Sequence, residues 1–142
     1  MKDDRDILIL YLEDYADILD TWLKFIKECW SPESLGCRSR EKALELLDEW
    51  EEAGVKPDLV IFDRSILDYE DDDLEDREAG NELYLHLAML EIPVAVFSSD
   101  HDVLAHEEPF YSHPPQLGFH HKEAMADDLK AAVSRYKQEF SQ

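Results

Sequence analysis

Side chains suited to one reaction stand at the ends of the apolar runs of this chain. Glu13 and Asp14 follow Ile7 to Leu12, and Asp63 follows Leu59-Val60-Ile61-Phe62. Ser98 and Ser99 follow Pro93 to Phe97, and Lys122 follows Leu117 to His121. Three carboxylates brought within a few ångströms repel one another and call for a cation. Oxygen-only ligands favour a hard ion such as Mg²⁺, which leaves a coordination place for a phosphoryl oxygen. A hydroxyl and an ammonium on neighbouring strands would hold the other phosphoryl oxygens, and charge neutralisation with in-line positioning supplies most of the catalysis of phosphoryl transfer. A carboxylate so placed can act as the nucleophile and give an acyl phosphate.

Taken singly, each of these residues has a plainer role. A carboxylate at a strand end is commonly a turn residue or a helix cap, Ser98 alone a turn former, and Lys122 alone a solvated charge. The joint pattern carries more, because four runs end in groups that one reaction requires. It works only if parallel strands bring those ends to one edge of a sheet.

The spacing of apolar residues predicts such a sheet. Ile7 to Leu12, Leu59 to Phe62 and Pro93 to Phe97 are unbroken apolar runs, as expected of strands buried on both faces. Tyr15, Ile18, Leu19, Trp22, Ile26 and Cys29 form one helical stripe, with Pro32 beyond it. Residues 34–38 allow only a short strand. Arg40 to Ala53 reads as a second helix, with Ser39 as N-cap and Gly54 as its stop. A third helix is expected after Gly80 on Leu83, Leu87 and Leu90, and a last short strand over residues 117–121. Met125, Leu129, Ala132, Val133, Tyr136 and Phe140 mark the final helix. Pro109, Pro114 and Pro115 make the segment before the last strand a poor helix. Strands alternating with helices predict a doubly wound α/β sheet, in which function sits at the carboxyl ends of the strands.

Composition narrows the classes. With 142 residues the chain is sized for one domain, and 44% hydrophobic residues suffice for a core. The net charge is −21, which repels phosphate backbones and anionic lipid, so nucleic acid is not an expected partner. No run is long enough to span a bilayer, and the acidic start lacks the features of a signal peptide, so a cytoplasmic protein without membrane insertion is expected. Cys29 and Cys37 have neither metal-site nor disulfide-framework spacing and read as reduced thiols. His86, His101, His106, His113, His120 and His121 lack zinc-ligand spacing.

Four motifs in order, Ile9-Leu10-Tyr11-Leu12-Glu13-Asp14, Pro57 to Asp63, Pro93 to Ser98 and Phe119-His120-His121-Lys122, resemble the receiver domain of two-component response regulators, of the chemotaxis-regulator-like kind. The resemblance runs from about Ile7 to Phe140. It implies a flavodoxin-like fold with five parallel strands in the order 2-1-3-4-5, and a single domain over residues 1–142 with no output domain. It further implies that Asp63 accepts a phosphoryl group from a phosphohistidine on a sensor histidine kinase or a histidine phosphotransfer protein. Glu13, Asp14, Asp63 and the backbone carbonyl of Ser65 would hold Mg²⁺, Lys122 would pair with Asp63, and Ser98 would bond the phosphoryl group. Phe119 fits the aromatic switch position, and Ser65 and Asp100 fall where the family tunes hydrolysis of the acyl phosphate. Such a protein phosphorylates and dephosphorylates itself rather than turning over substrate, and signals to a downstream protein target, with a homodimer as an open arrangement.

The chain departs from the family in three places. Glu123 stands where Pro usually follows the Lys, and the fourth helix is irregular. The loop after the third strand is long and acidic, with eight acids and one base from Asp68 to Glu78; it reads as a mobile, solvated loop. Two other readings compete. One is a degenerate receiver that docks partners without phosphorylation. The other, a haloacid-dehalogenase-like phosphatase built on Asp63-Arg64-Ser65, Ser98, Lys122 and Asp127-Asp128, leaves Glu13 and Asp14 without a task; the last two acids suit the start of a helix.

Overall fold

The structure is a computed structural model that describes all residues except 1, 64–65, 73, 75, 99–104 and 141–142. Its regular elements in chain order are β1 (Ile9–Leu12), α1 (Ala16–Cys29), β2 (Leu35–Cys37), α2 (Arg40–Glu52), β3 (Leu59–Asp63), α3 (Arg77–Met89), β4 (Val94–Phe97), β5 (Phe119–His120) and α4 (Met125–Glu139). The strands form one parallel sheet in the order β2-β1-β3-β4-β5, as expected.

Alternation along the strands splits the core in two. Leu10, Leu12, Val60, Phe62, Val94 and Val96 face α2 and α3, where Leu46, Leu47, Leu83 and Leu87 meet them. Ile9, Tyr11, Ile61, Ala95 and Phe97 face the other way, onto Leu19 and Ile26 of α1 and Leu129 and Val133 of α4. A strand covered on both sides has no polar face to show, which is why the apolar runs are unbroken. At Gly36 the sheet and α1 approach so closely that a Cβ would lie 2.8 Å from Leu19 Cδ1.

Local signals set most boundaries. The Ser39 hydroxyl accepts a hydrogen bond from the Lys42 N–H at 3.1 Å and caps α2. Gly54 follows with φ +72°, the left-handed conformation favoured beyond a helix end. α3 begins earlier than its apolar spacing suggests, at Arg77 rather than after Gly80. Asp76 accepts from the N–H groups of Glu78 and Ala79, so the end of the acidic run becomes a capped first turn. β5 is shorter than residues 117–121, because a turn closed by the Gly118 N–H on the Pro115 carbonyl precedes it and a 3₁₀ turn begins at Lys122. Between β4 and β5 the described residues, 105–118, form turns and no helix. Phe110 takes over the packing there: it is buried against Tyr84, ring centroids 4.6 Å apart, and against Phe119 at 6.1 Å.

The acidic segment after β3 is a correction to the expectation of a mobile loop. Its described first part, residues 66–72, is bound to the start of α2. Leu67 N–H donates to the Arg38 carbonyl, Arg40 N–H donates to the Leu67 carbonyl, and Glu41 N–H donates to the Asp68 carbonyl, all between 2.8 and 3.0 Å. Ser39 and Leu67 thereby form a parallel bridge beyond the sheet. The Glu70 carboxylate accepts from Ser39 Oγ at 2.8 Å and from the Arg38 N–H at 3.2 Å. Backbone donors at a helix start attract negative charge, so an acidic segment can dock where a neutral one would gain less.

Candidate functional site

The register of the sheet builds the site. Leu12 pairs with Phe62, so Glu13, one residue past β1, comes level with Asp63 at the end of β3. Asp63 in turn pairs with Phe97, which places Ser98 one residue beyond at the same edge. The Glu13 N–H donates to the Cys37 carbonyl at 3.1 Å, and the Ser98 N–H to the His120 carbonyl at 3.0 Å. The backbone ladder therefore holds Glu13 and Ser98 although both lie outside the strands.

Glu13 and Asp63 are 1% and 2% exposed, a burial that carboxylates tolerate only with partners. Asp14, on the bend before α1, is half-buried. One ligand oxygen from each of the three acids lies within 4.8 Å of the others, and among the described residues this is the only group of His, Cys, Asp or Glu with such spacing. Lys122 reaches in from beyond β5, its Nζ 2.6 Å from Asp63 Oδ2 and 3.8 Å from Glu13 Oε2.

The electrostatics follow from that crowding. Burial, then the hydrogen bond and charge of Asp63, push the Glu13 carboxyl up to about 9, although Lys122 pulls it back. Asp14 is raised for the same reasons, burial first and the Asp63 charge second. Burial pulls the Lys122 ammonium down, but Asp63, Glu13 and Asp14 outweigh it and the net direction is up. One ammonium thus faces three acids. The chemistry of the donor set, oxygen throughout, and Asp14 Oδ1, buried with no hydrogen-bond partner, fit a hard divalent cation.

Of the residues expected from sequence, Glu13, Asp14, Asp63 and Lys122 are brought into one cluster, and Ser98 joins them at the strand edge. Phe119 lies in β5, half-buried beside Phe110. Ser65 and Asp100 lie outside the described residues. His120 stacks on Phe97, ring centroids 5.0 Å apart, and its Nε2 is 2.7 Å from the Leu117 carbonyl oxygen.

Two neighbours of the site escape sequence reasoning. Arg38 Nε donates to the backbone carbonyl of Asp14 at 2.6 Å. Its only sequence signal is a base at the end of a short strand in a chain poor in bases. Tyr11 lies on the same face of β1 as Glu13, fully buried, with its hydroxyl unpartnered. Burial, then Glu13, Asp63 and Asp14, push that phenol up. The alternation i, i+2 from Glu13 would have pointed to it.

Neither a protein-family model nor a curated protein sequence matches the chain. Solved structures do. The bacteriophytochrome response regulator AtBRR is 17% identical with a TM-score of 0.67, over 92% of both chains. The signal receiver domain of an HD domain-containing protein from Pseudomonas fluorescens Pf-5 is 15% identical with a TM-score of 0.65, over 100% of this chain and 97% of that one. The N-terminal domain of a response regulator receiver protein from Methanoculleus marisnigri JR1 is 18% identical with a TM-score of 0.57, over 95% and 97%. No described helix is long and apolar enough to cross a membrane.

Proposed function

We propose, from the premise that the chain has the fold of response-regulator receiver domains, that it is a phosphoacceptor of a two-component or phosphorelay system. The observation that carries this reading is the cluster itself: Asp63 is buried at a strand end, beside two further acids, with Lys122 Nζ at 2.6 Å. In the proposed reaction an Asp63 carboxylate oxygen attacks the phosphorus of a phosphohistidine. The P–N bond breaks, the imidazole leaves, and Asp63 becomes an acyl phosphate. The donor would be a sensor histidine kinase or a histidine phosphotransfer protein.

Each residue has a task in this reading. Glu13, Asp14 and Asp63, with the backbone carbonyl of Ser65, would hold Mg²⁺, which when bound neutralises phosphoryl oxygens. Lys122, already paired with Asp63, keeps its charge at the acceptor. Ser98 would donate its hydroxyl to the phosphoryl group from the next strand. Phe119 would carry the change to the surface; its contact with Phe110 points that signal at the irregular segment between β4 and β5. A downstream protein target would read it.

Intact-mass measurement after incubation with acetyl phosphate or phosphoramidate tests the reading. One Mg²⁺-dependent phosphoryl adduct is expected, absent from Asp63→Asn. A protein that only docks partners would gain no adduct, and a phosphatase would turn over phosphomonoesters.

A further inference from the structure

We propose that Arg38 is a positioning residue of the acidic site, and that the docked acidic segment, residues 66–72, acts on the site through it. The inference rests on the cation-binding reading above and deepens it. Glu13 and Asp63 are held by backbone pairing at the sheet edge, whereas Asp14 sits on a bend. Its Oδ1 is buried without a hydrogen-bond partner, so that oxygen is the one left for a ligand. What grips this residue from the β2 side is Arg38, whose Nε donates to the Asp14 carbonyl at 2.6 Å.

Arg38 is itself held on both sides of its backbone by the acidic segment. Its N–H donates to Glu70 Oε1 at 3.2 Å, and its carbonyl accepts from Leu67 N–H at 2.9 Å. The neighbouring Ser39 is fully buried, and its hydroxyl donates to the same Glu70 oxygen at 2.8 Å. A continuous chain of hydrogen bonds therefore runs from Glu70 and Leu67 through Arg38 to the backbone of Asp14. Coupling of this kind acts in both directions: a cation that fixes Asp14 would also steady the acidic segment.

The sign of one measurement separates positioning from charge. Deleting a positive charge that sits at the Asp14 backbone should, by Coulomb attraction alone, leave cation binding unchanged or tighten it. If Arg38 instead positions Asp14, Arg38→Ala binds Mg²⁺ more weakly, by about tenfold as for other residues that orient metal ligands, in calorimetric titration of protein shown folded by circular dichroism. Arg38→Lys, which keeps a donor, recovers most of the affinity. Mg²⁺ slows amide exchange across residues 67–70 in the wild type and not in Arg38→Ala. Equal or tighter binding by Arg38→Ala, a deficit that Arg38→Lys leaves uncorrected, or unchanged exchange in the wild type overturns the inference alone. A wild-type protein that takes up no Mg²⁺ overturns the cation-binding reading and this inference with it.

Discussion

Lys122 Nζ and Asp63 Oδ2 are 2.6 Å apart across 59 residues of sequence, the ammonium partly solvated and the carboxylate buried. That asymmetry defines what each contributes. Asp63 is shielded from water and depends on its partners, whereas Lys122 keeps part of its surface in solvent.

Replacing Lys122 with Ala removes the one ammonium from a cluster of three acids. The metal-free protein is expected to lose about 1–2 kcal/mol, less than a fully buried pair would because Lys122 is partly solvent-screened. Mg²⁺ should bind the variant more tightly than the wild type, since a competing charge has gone. Urea unfolding in chelator and calorimetric titration check the two halves; weaker Mg²⁺ binding in Lys122→Ala would contradict the second.

The Glu13 carboxyl, pushed up to about 9, sets a pH dependence with a definite sign. A raised acid favours the fold below its ordinary range, and that contribution is lost as pH climbs from the ordinary range through about 9. The metal-free protein is therefore expected to lose stability over that window. Mg²⁺ should expel the retained proton and restore stability, most strongly at the alkaline end. Thermal unfolding across pH, with and without Mg²⁺, reads both effects; a Mg²⁺-induced rise that shrinks toward alkaline pH would contradict them.

Ser39 serves two structures at once, capping α2 through Lys42 N–H and donating to Glu70. Ser39→Ala is expected to cost about 1–2 kcal/mol, as for a helix cap that also leaves a half-buried acceptor short of a donor. Proteolysis of the folded variant should move to residues 66–72. Unchanged stability and cleavage would mean that the acidic segment docks by its backbone bonds alone.

The two thiols should separate by reactivity. Burial and the Glu70 charge push the Cys37 thiol up to about 12, whereas Cys29 is half-buried. Iodoacetamide followed by peptide mass mapping is expected to modify Cys29 in the folded protein and Cys37 only after unfolding. Early labelling of Cys37 would show that β2 and the acidic segment open together.

The strands and the acids at their ends are legible in the sequence because each is written locally, whereas the strand order followed only from the resemblance to receiver domains. An apolar run buried on both faces has no other soluble use, and a charge that ends such a run in a parallel sheet must lie at its functional edge. Ser39 and Gly54 announce their helix ends for the same reason: a cap satisfies its own neighbours. Arg38 on Asp14, Glu70 on the start of α2, and Phe110 beneath Phe119 carry no such mark. Each is a side chain or loop meeting a group far away in sequence, and its partner is chosen by the path of the chain after β2, β3 and β4 rather than by any spacing. An acidic run reads as solvated because charge prefers water; only the folded chain, by turning the N–H groups and hydroxyl at the start of α2 toward it, gave that charge a better place.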